Sequence, residues 1–133
     1  MLDAFPGPHQ RPSMKKILLM NDQPNFIKMV SLKLEKMGFA VVSAENGRVG
    51  VERALAEQPD LIVMDIMMPE MDGFTACEQI TAQSPKKCPV IFLSAKGQES
   101  DRRRAAELGA VDFIAKPFSP KMLIDRIEEL LKS

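Results

Sequence analysis

The chain contains five short apolar runs, and each is followed by a segment with helical periodicity. This alternation is the strongest constraint on the fold. The runs read KKILLM, FAVVSA, LIVMD, PVIFLSA and VDFIAKPF, the last including the exit from its strand. Because the runs are almost continuously apolar, we expect strands buried on both faces, as in a parallel sheet covered by helices. Right-handed crossovers then give an α/β fold, a doubly wound (βα)5 sandwich with a five-stranded parallel sheet.

Turn and capping residues place the helices between these strands. Pro24 suits the first turn of the first helix, and Gly38 suits its end. Asn46 and Ser119 are predicted to cap the second and fifth helices, and the third helix is expected at about 73–84. Strand and helix therefore alternate through the whole predicted domain.

The beginning of the chain differs in composition from the rest. Residues 1–14 are rich in proline and contain the only histidine, His9. We expect them to be a disordered tail or a remnant of cloning, and residues 15–133 to form one domain. A mechanism that needs a histidine of the folded part is therefore excluded.

Charge and hydropathy argue against two kinds of partner. Eighteen basic residues balance eighteen acidic ones, whereas a nucleic-acid-binding surface normally has a basic excess, so no direct nucleic-acid contact is expected. No apolar stretch approaches the roughly 20 residues that cross a bilayer, so no membrane partner is expected either. Cys77 and Cys88 lack metal-type spacing and are interpreted as reduced thiols of a cytoplasmic protein.

Polar residues stand at the end of four of the predicted strands or directly after them. They are Asn21 and Asp22 after the first run, Asp65 at the end of the third, Ser94 at the end of the fourth and Lys116 after the fifth. In a doubly wound sheet, ligands bind beyond the carboxyl ends of the strands. We therefore expect these side chains to converge on one edge of the sheet.

The convergent set has a coherent chemistry. Asp22, Asp65 and an amide oxygen favour a hard divalent cation, most simply Mg²⁺ completed by waters and a backbone carbonyl. Lys116 supplies an ammonium group suited to phosphate, and Ser94 supplies a hydroxyl. Asp65 is then placed to attack phosphorus and form an aspartyl-phosphate.

Each residue taken alone has an ordinary structural explanation. Asp65 and Asp22 could be helix caps, Lys116 a solvated lysine and Ser94 a loop hydroxyl. Their joint occurrence at successive strand ends is what favours a site.

These residues carry a resemblance to a known family. The motifs KILLMND, VMDIMMPEMDG, FLSA and DFIAKPF resemble those of the response-regulator receiver domain, the CheY-like phosphoacceptor of two-component signalling. The resemblance covers about Lys15 to Leu131. It implies a flavodoxin-like fold with the strand order 2-1-3-4-5, and a protein that is not an enzyme.

The resemblance also assigns the metal site and the phosphoacceptor. It implies that Asp65 is phosphorylated and that Asp22 and Asp65 bind Mg²⁺ (or Mn²⁺) together with the backbone carbonyl of Met67. Asn21 would contribute indirectly, at a position where the family usually has an acid. One carboxylate fewer predicts weaker Mg²⁺ binding and less repulsion of an incoming phosphoryl group.

The remaining motif residues imply a switch. Ser94 and Lys116 resemble the residues that contact the phosphoryl group, Phe113 the aromatic switch residue, and Lys116–Pro117 a peptide bond that is cis in relatives. Ser94 would move toward the phosphoryl group, Phe113 would turn inward, and the fourth helix, fifth strand and fifth helix would repack. On that face, residues 102–104 are three arginines, a pattern more typical of solvated helix charges than of a docking patch.

The implied partners are a sensor histidine kinase or phosphotransfer protein and a downstream target protein. Because no sequence follows Ser133, we expect a stand-alone receiver without an output domain, unless the chain is an excised fragment.

Three alternatives stay open. A degenerate receiver would be a binding module independent of phosphorylation, which Asn21 keeps plausible. A flavodoxin-type electron carrier would need a glycine-rich phosphate loop, which NDQPN is not, and the chain has neither Trp nor Tyr. An aspartyl phosphatase generally needs a second acid two residues beyond the nucleophile, where Met67 stands.

Overall fold

Five parallel strands form one sheet in the spatial order 2-1-3-4-5 in the computed structural model, which describes residues 14–95 and 97–132. The predicted doubly wound fold and the strand order are confirmed. The strands are β1 (Lys16–Met20), β2 (Ala40–Ala44), β3 (Leu61–Asp65), β4 (Val90–Ser94) and β5 (Asp112–Ala115). The predicted tail lies outside the described residues except for Met14, which is exposed, and His9 lies outside them.

Five helices connect and cover the strands. Two of the predicted caps are present: the Asn46 side chain accepts from the Val49 N–H at 2.8 Å, and the Ser119 hydroxyl accepts from the Met122 N–H at 3.0 Å. Asp72 is a third cap, which the sequence analysis did not assign. The helices are α1 (Pro24–Lys36), α2 (Gly47–Glu57), α3 (Gly73–Gln83), α4 (Glu99–Glu107) and α5 (Pro120–Leu131).

The two faces of the sheet bury two separate cores, which explains why the strands are apolar at most positions. Leu18, Met20 and Met64 point to the side covered by α2, α3 and α4. Leu19 and Val63 point to the opposite side, covered by α1 and α5. Because neighbouring side chains on a strand alternate between faces, a polar residue on either face would lie in one of the two cores.

The parallel register brings the carboxyl ends of the strands together. Asp65 of β3 lies opposite Leu93, and Ser94 of β4 lies opposite Ala115. Asn21 directly follows β1 and Lys116 directly follows β5. The residues that the sequence analysis selected therefore share one edge of the sheet.

Both cysteines are free thiols. Burial raises the pKa of the Cys88 thiol to about 11, and its Sγ–H donates to the carbonyl of Pro59 at 3.2 Å. The thiol is therefore protonated at neutral pH, a state that reacts slowly. Within residues 14–95 and 97–132, no helix has both the length and the apolar character to cross a membrane.

Candidate functional site

Asp65 is a buried carboxylate held by two side-chain donors. It is the last residue of β3 and is only 4% exposed. The Lys116 ammonium lies 3.0 Å from its Oδ2 atom, and the Asn21 Nδ2 atom lies 3.1 Å from the same oxygen. A buried charge needs such partners, because desolvation without them is costly. Asp65 is therefore not the helix cap that it could have been as an isolated residue.

Lys116 is held by a backbone hydrogen bond as well as by its side chain. Its N–H donates to the Ser94 carbonyl at 2.7 Å, which extends the pairing of β4 and β5 by one residue. The Lys116–Pro117 peptide bond is cis, as the resemblance implied. The Lys116 side chain is 28% exposed and forms an ion pair with Asp65. The interpretation of Lys116 as a solvated lysine is therefore wrong.

Asn21 and Asp22 differ sharply in exposure although they are neighbours. Asn21 is 2% exposed, and its Oδ1 atom accepts from the Gln23 N–H at 2.7 Å. Asp22 is exposed. Gln23 occupies the N-cap position of α1, and its side chain makes no capping hydrogen bond. Asp22 therefore does not cap this helix, and it follows the buried Asn21 just beyond the carboxyl end of β1.

Ser94 connects the strand edge to the start of α4. Its hydroxyl is buried, accepts from the Gly97 N–H at 3.0 Å and lies 3.5 Å from Asp101 Oδ2. Phe113 is already buried on β5, with the Arg102 guanidinium 4.7 Å above its ring centroid. This distance is typical of a cation–π contact. Of the predicted switch residues, Ser94 therefore contacts the segment that leads into α4, and Phe113 contacts α4 itself.

The three arginines of α4 do not form one patch. Arg104 forms ion pairs with Glu78 of α3 and Glu107 of its own helix. Arg102 covers Phe113 instead. The first and third arginines of the run therefore contact neighbouring elements of the same chain.

Two glycines, Gly47 and Gly73, allow the backbone to pack closely around the loop between β3 and α3. A Cβ atom on Gly47 would lie 2.2 Å from the Met71 carbonyl oxygen, and one on Gly73 would lie 2.5 Å from the Asp65 carbonyl oxygen. The Gly73 N–H also donates to the Ile66 carbonyl at 2.8 Å. Met67 is an exposed residue of this loop. Neither glycine was predicted to shape the site, although Gly73 belongs to the MDG motif.

The oxygen donors at this edge suit a small hard cation. Asp22 and Asp65 are the carboxylates that the sequence analysis selected, and Mg²⁺ in proteins is typically held by one or two carboxylates while it keeps several waters. The described part of the chain contains no group of three or more His, Cys, Asp or Glu residues suited to a metal. Two carboxylates match the small ligand set of a partly hydrated Mg²⁺.

A five-stranded doubly wound sheet with a buried aspartate–lysine pair at its carboxyl edge defines a CheY-like receiver. The family model of the response regulator receiver domain matches residues 17–128, and the chain belongs to this family. Receiver domains are signalling modules of two-component systems that interact with histidine kinases or phosphotransfer proteins, and they are not classical enzymes. The match to this family favours a receiver domain over the electron-carrier and phosphatase alternatives.

Three known proteins illustrate the similarity. The alkaline phosphatase synthesis transcriptional regulatory protein PhoP of Bacillus subtilis is 37% identical over 118 residues, which cover 89% of this chain and 49% of that protein. The receiver domain of Francisella response regulator 1452 has a TM-score of 0.81 at 30% identity, with 89% and 97% of the two chains covered. The BeF3-activated N-terminal receiver domain of Klebsiella pneumoniae RstA has a TM-score of 0.78 at 30% identity, with 89% and 99% covered.

The curated relatives are longer than this chain. The chain spans about half the length of those that it matches, such as PhoP.

Proposed function

We propose that this receiver is a phosphorylation-controlled switch in which Asp65 accepts a phosphoryl group from the phosphohistidine of a sensor kinase or phosphotransfer protein. The observation that carries the proposal is the buried Asp65 carboxylate with Lys116 Nζ at 3.0 Å. A carboxylate and a cationic group are thereby held together at the edge where ligands of such sheets bind.

The hydrogen bonds to Asp65 support the choice of Oδ1 as the attacking oxygen. Both donors recorded for Asp65 in the described part of the chain lie on Oδ2, which leaves Oδ1 for the incoming phosphorus. A bond forms between Oδ1 and phosphorus while the bond from phosphorus to the donor's imidazole nitrogen breaks, and that nitrogen keeps the electron pair. Lys116 and the Ser94 hydroxyl are the groups available to stabilise charge on the transferred oxygens.

The cation site belongs to the same proposal. Asp22 and Asp65, with the backbone carbonyl of Met67, would hold Mg²⁺ or Mn²⁺, and a bound cation neutralises negative charge on the phosphoryl oxygens. Asn21 would lie beside the cation without binding it directly. The exposed Asp22 and buried Asp65 support this assignment because they offer oxygen donors at neighbouring strand ends.

The proposed output is a change of the surface formed by α4, β5 and α5. Phosphorylation adds close to two negative charges, which would draw Ser94 and Lys116 toward the phosphoryl group. Ser94 contacts Gly97 at the entrance to α4, and Phe113 lies beneath Arg102 of α4. Movement of Ser94 would therefore be transmitted to α4, and the rearranged surface would be offered to a target protein. The description of the RstA receiver as BeF3-activated supports activation of a receiver with this fold.

An alternative proposal is a binding module that is not phosphorylated. The observation that favours it is Asn21, which contacts Asp65 directly at a position where the resemblance implies an acid. Such a module would keep the fold and the Asp65–Lys116 ion pair but would not accept a phosphoryl group.

Phosphorylation of the isolated chain distinguishes the two proposals. We expect incubation with a small acyl phosphate and MgCl₂ to add one phosphoryl group, seen by intact-mass spectrometry and removed by hydroxylamine, which cleaves acyl phosphates. An unchanged mass, together with unchanged mass after incubation with phosphorylated kinases, would support the binding module instead.

A further inference from the structure

Asn21 makes two hydrogen bonds with opposite chemical roles. Its Oδ1 atom accepts from the backbone N–H of Gln23 at 2.7 Å, and its Nδ2 atom donates to Asp65 Oδ2 at 3.1 Å. The side chain is 2% exposed, so water does not readily replace either partner. One buried amide therefore connects the start of α1 to the side chain of Asp65.

The orientation of this amide follows from its partners. A backbone N–H can only donate, so the Asn21 oxygen must face Gln23. A carboxylate can only accept, so the Asn21 nitrogen must face Asp65. The Asn21 oxygen is consequently used by the backbone, and the group presented to the phosphoacceptor is a neutral donor.

We propose that Asn21 is a positioning residue that holds Asp65 by a neutral hydrogen bond, so that the phosphoacceptor is in place before any divalent cation binds. The inference rests on the proposed function, because it takes Asp65 as the phosphoacceptor. A carboxylate at position 21 would place a second negative charge about 3 Å from Asp65, beside the Lys116 ammonium that already pairs with it. The site with that second acid would therefore gain more from a divalent cation than the site with Asn21 does.

The Asn21→Asp variant separates the two hydrogen bonds because aspartate is nearly isosteric with asparagine. It keeps an oxygen for the Gln23 N–H and replaces the donor that faces Asp65 with a second carboxylate. In EDTA we expect this variant to melt about 5 °C or more below the native chain. One saturating concentration of MgCl₂ should raise the melting temperature of the variant further than that of the native chain, because tighter binding stabilises the folded state more.

The Mg²⁺ concentration at half-saturation is a second readout, which a purely structural role of Asn21 would leave unchanged. The variant adds one ligand charge, and ligand charge sets divalent-cation affinity, so half-saturation should need about tenfold less Mg²⁺ than in the native chain. Asn21→Ala is the control that removes both hydrogen bonds: it should lower stability equally in EDTA and in MgCl₂. Equal melting temperatures of the native and Asn21→Asp chains in EDTA, or equal Mg²⁺ half-saturation, would overturn the inference.

The melting and cation titrations do not depend on phosphoryl transfer. If the native chain accepts no phosphoryl group in saturating MgCl₂, the proposed function fails. The difference between native and Asn21→Asp chains in EDTA still tests the contact with Asp65 in that case. The failure of the inference and the failure of the proposed function are therefore distinguishable.

Discussion

The Asp65→Asn variant is expected to accept no detectable phosphoryl group from an acyl phosphate in MgCl₂ while remaining folded. The amide that replaces the carboxylate cannot serve as the nucleophile, and it also removes the charge that pairs with Lys116 at 3.0 Å. The oxygen of the new amide can still accept a hydrogen bond from Asn21 or Lys116, so the cost in stability should be only about 1 kcal/mol. Intact-mass spectrometry measures the labelling, and thermal unfolding measures the stability.

The chain offers a matched control for this variant in Asp72. This aspartate lies one residue before α3, and its side chain accepts from the Thr75 N–H at 2.8 Å. Asparagine caps helices about as well as aspartate, so Asp72→Asn should be labelled like the native chain. Labelling that persists in Asp65→Asn, or that is lost equally in Asp72→Asn, would contradict the assignment of Asp65.

The Gly73→Ala variant is expected to lose both stability and labelling. Gly73 is the first residue of α3, where alanine would ordinarily be favourable by up to about 1 kcal/mol. The added Cβ would instead lie 2.5 Å from the Asp65 carbonyl oxygen and 3.0 Å from the Ile66 Cα atom. Backbone atoms cannot rotate away, so we expect a destabilisation of about 2–3 kcal/mol, typical of overpacking.

Displacement of the Asp65 backbone should also misplace its carboxylate. Because phosphoryl transfer depends on alignment, the labelling rate of Gly73→Ala should fall about tenfold or more. Gly38→Ala is the control: Gly38 has a φ of +99° and no atom within 4 Å of an added Cβ. Backbone strain should cost this variant about 1–2 kcal/mol without affecting labelling. Normal stability and normal labelling of Gly73→Ala would contradict the role given to Gly73.

The fold was predictable because its signals are local. Strand length and apolar character, together with single residues such as Pro24, Asn46 and Ser119, place the strands and the starts of α1, α2, α3 and α5 close to their observed positions. The continuous apolar runs also predicted two buried faces, which the separate cores confirm. The strand order came from the family resemblance, because periodicity alone does not determine which strands are neighbours.

The details of the site were less predictable because they depend on contacts between distant segments. The sequence singled out Asn21, Asp65 and Lys116, but it could not show that both donors share one oxygen of Asp65. Likewise, the position of Arg102 above Phe113 follows from how α4 packs on β5. In each case the partner's direction is set by tertiary packing and not by spacing along the chain.

The most direct test of the central claim is a crystal structure of the chain grown with MgCl₂ and beryllium fluoride, which mimics a phosphoryl group. We expect beryllium fluoride on Asp65, with Lys116 Nζ and Ser94 Oγ within about 3 Å of its fluorine atoms. Absence of the mimic from Asp65 under saturating conditions, or a Lys116 side chain that points away from it, would show that Asp65 is not the phosphoacceptor of this site.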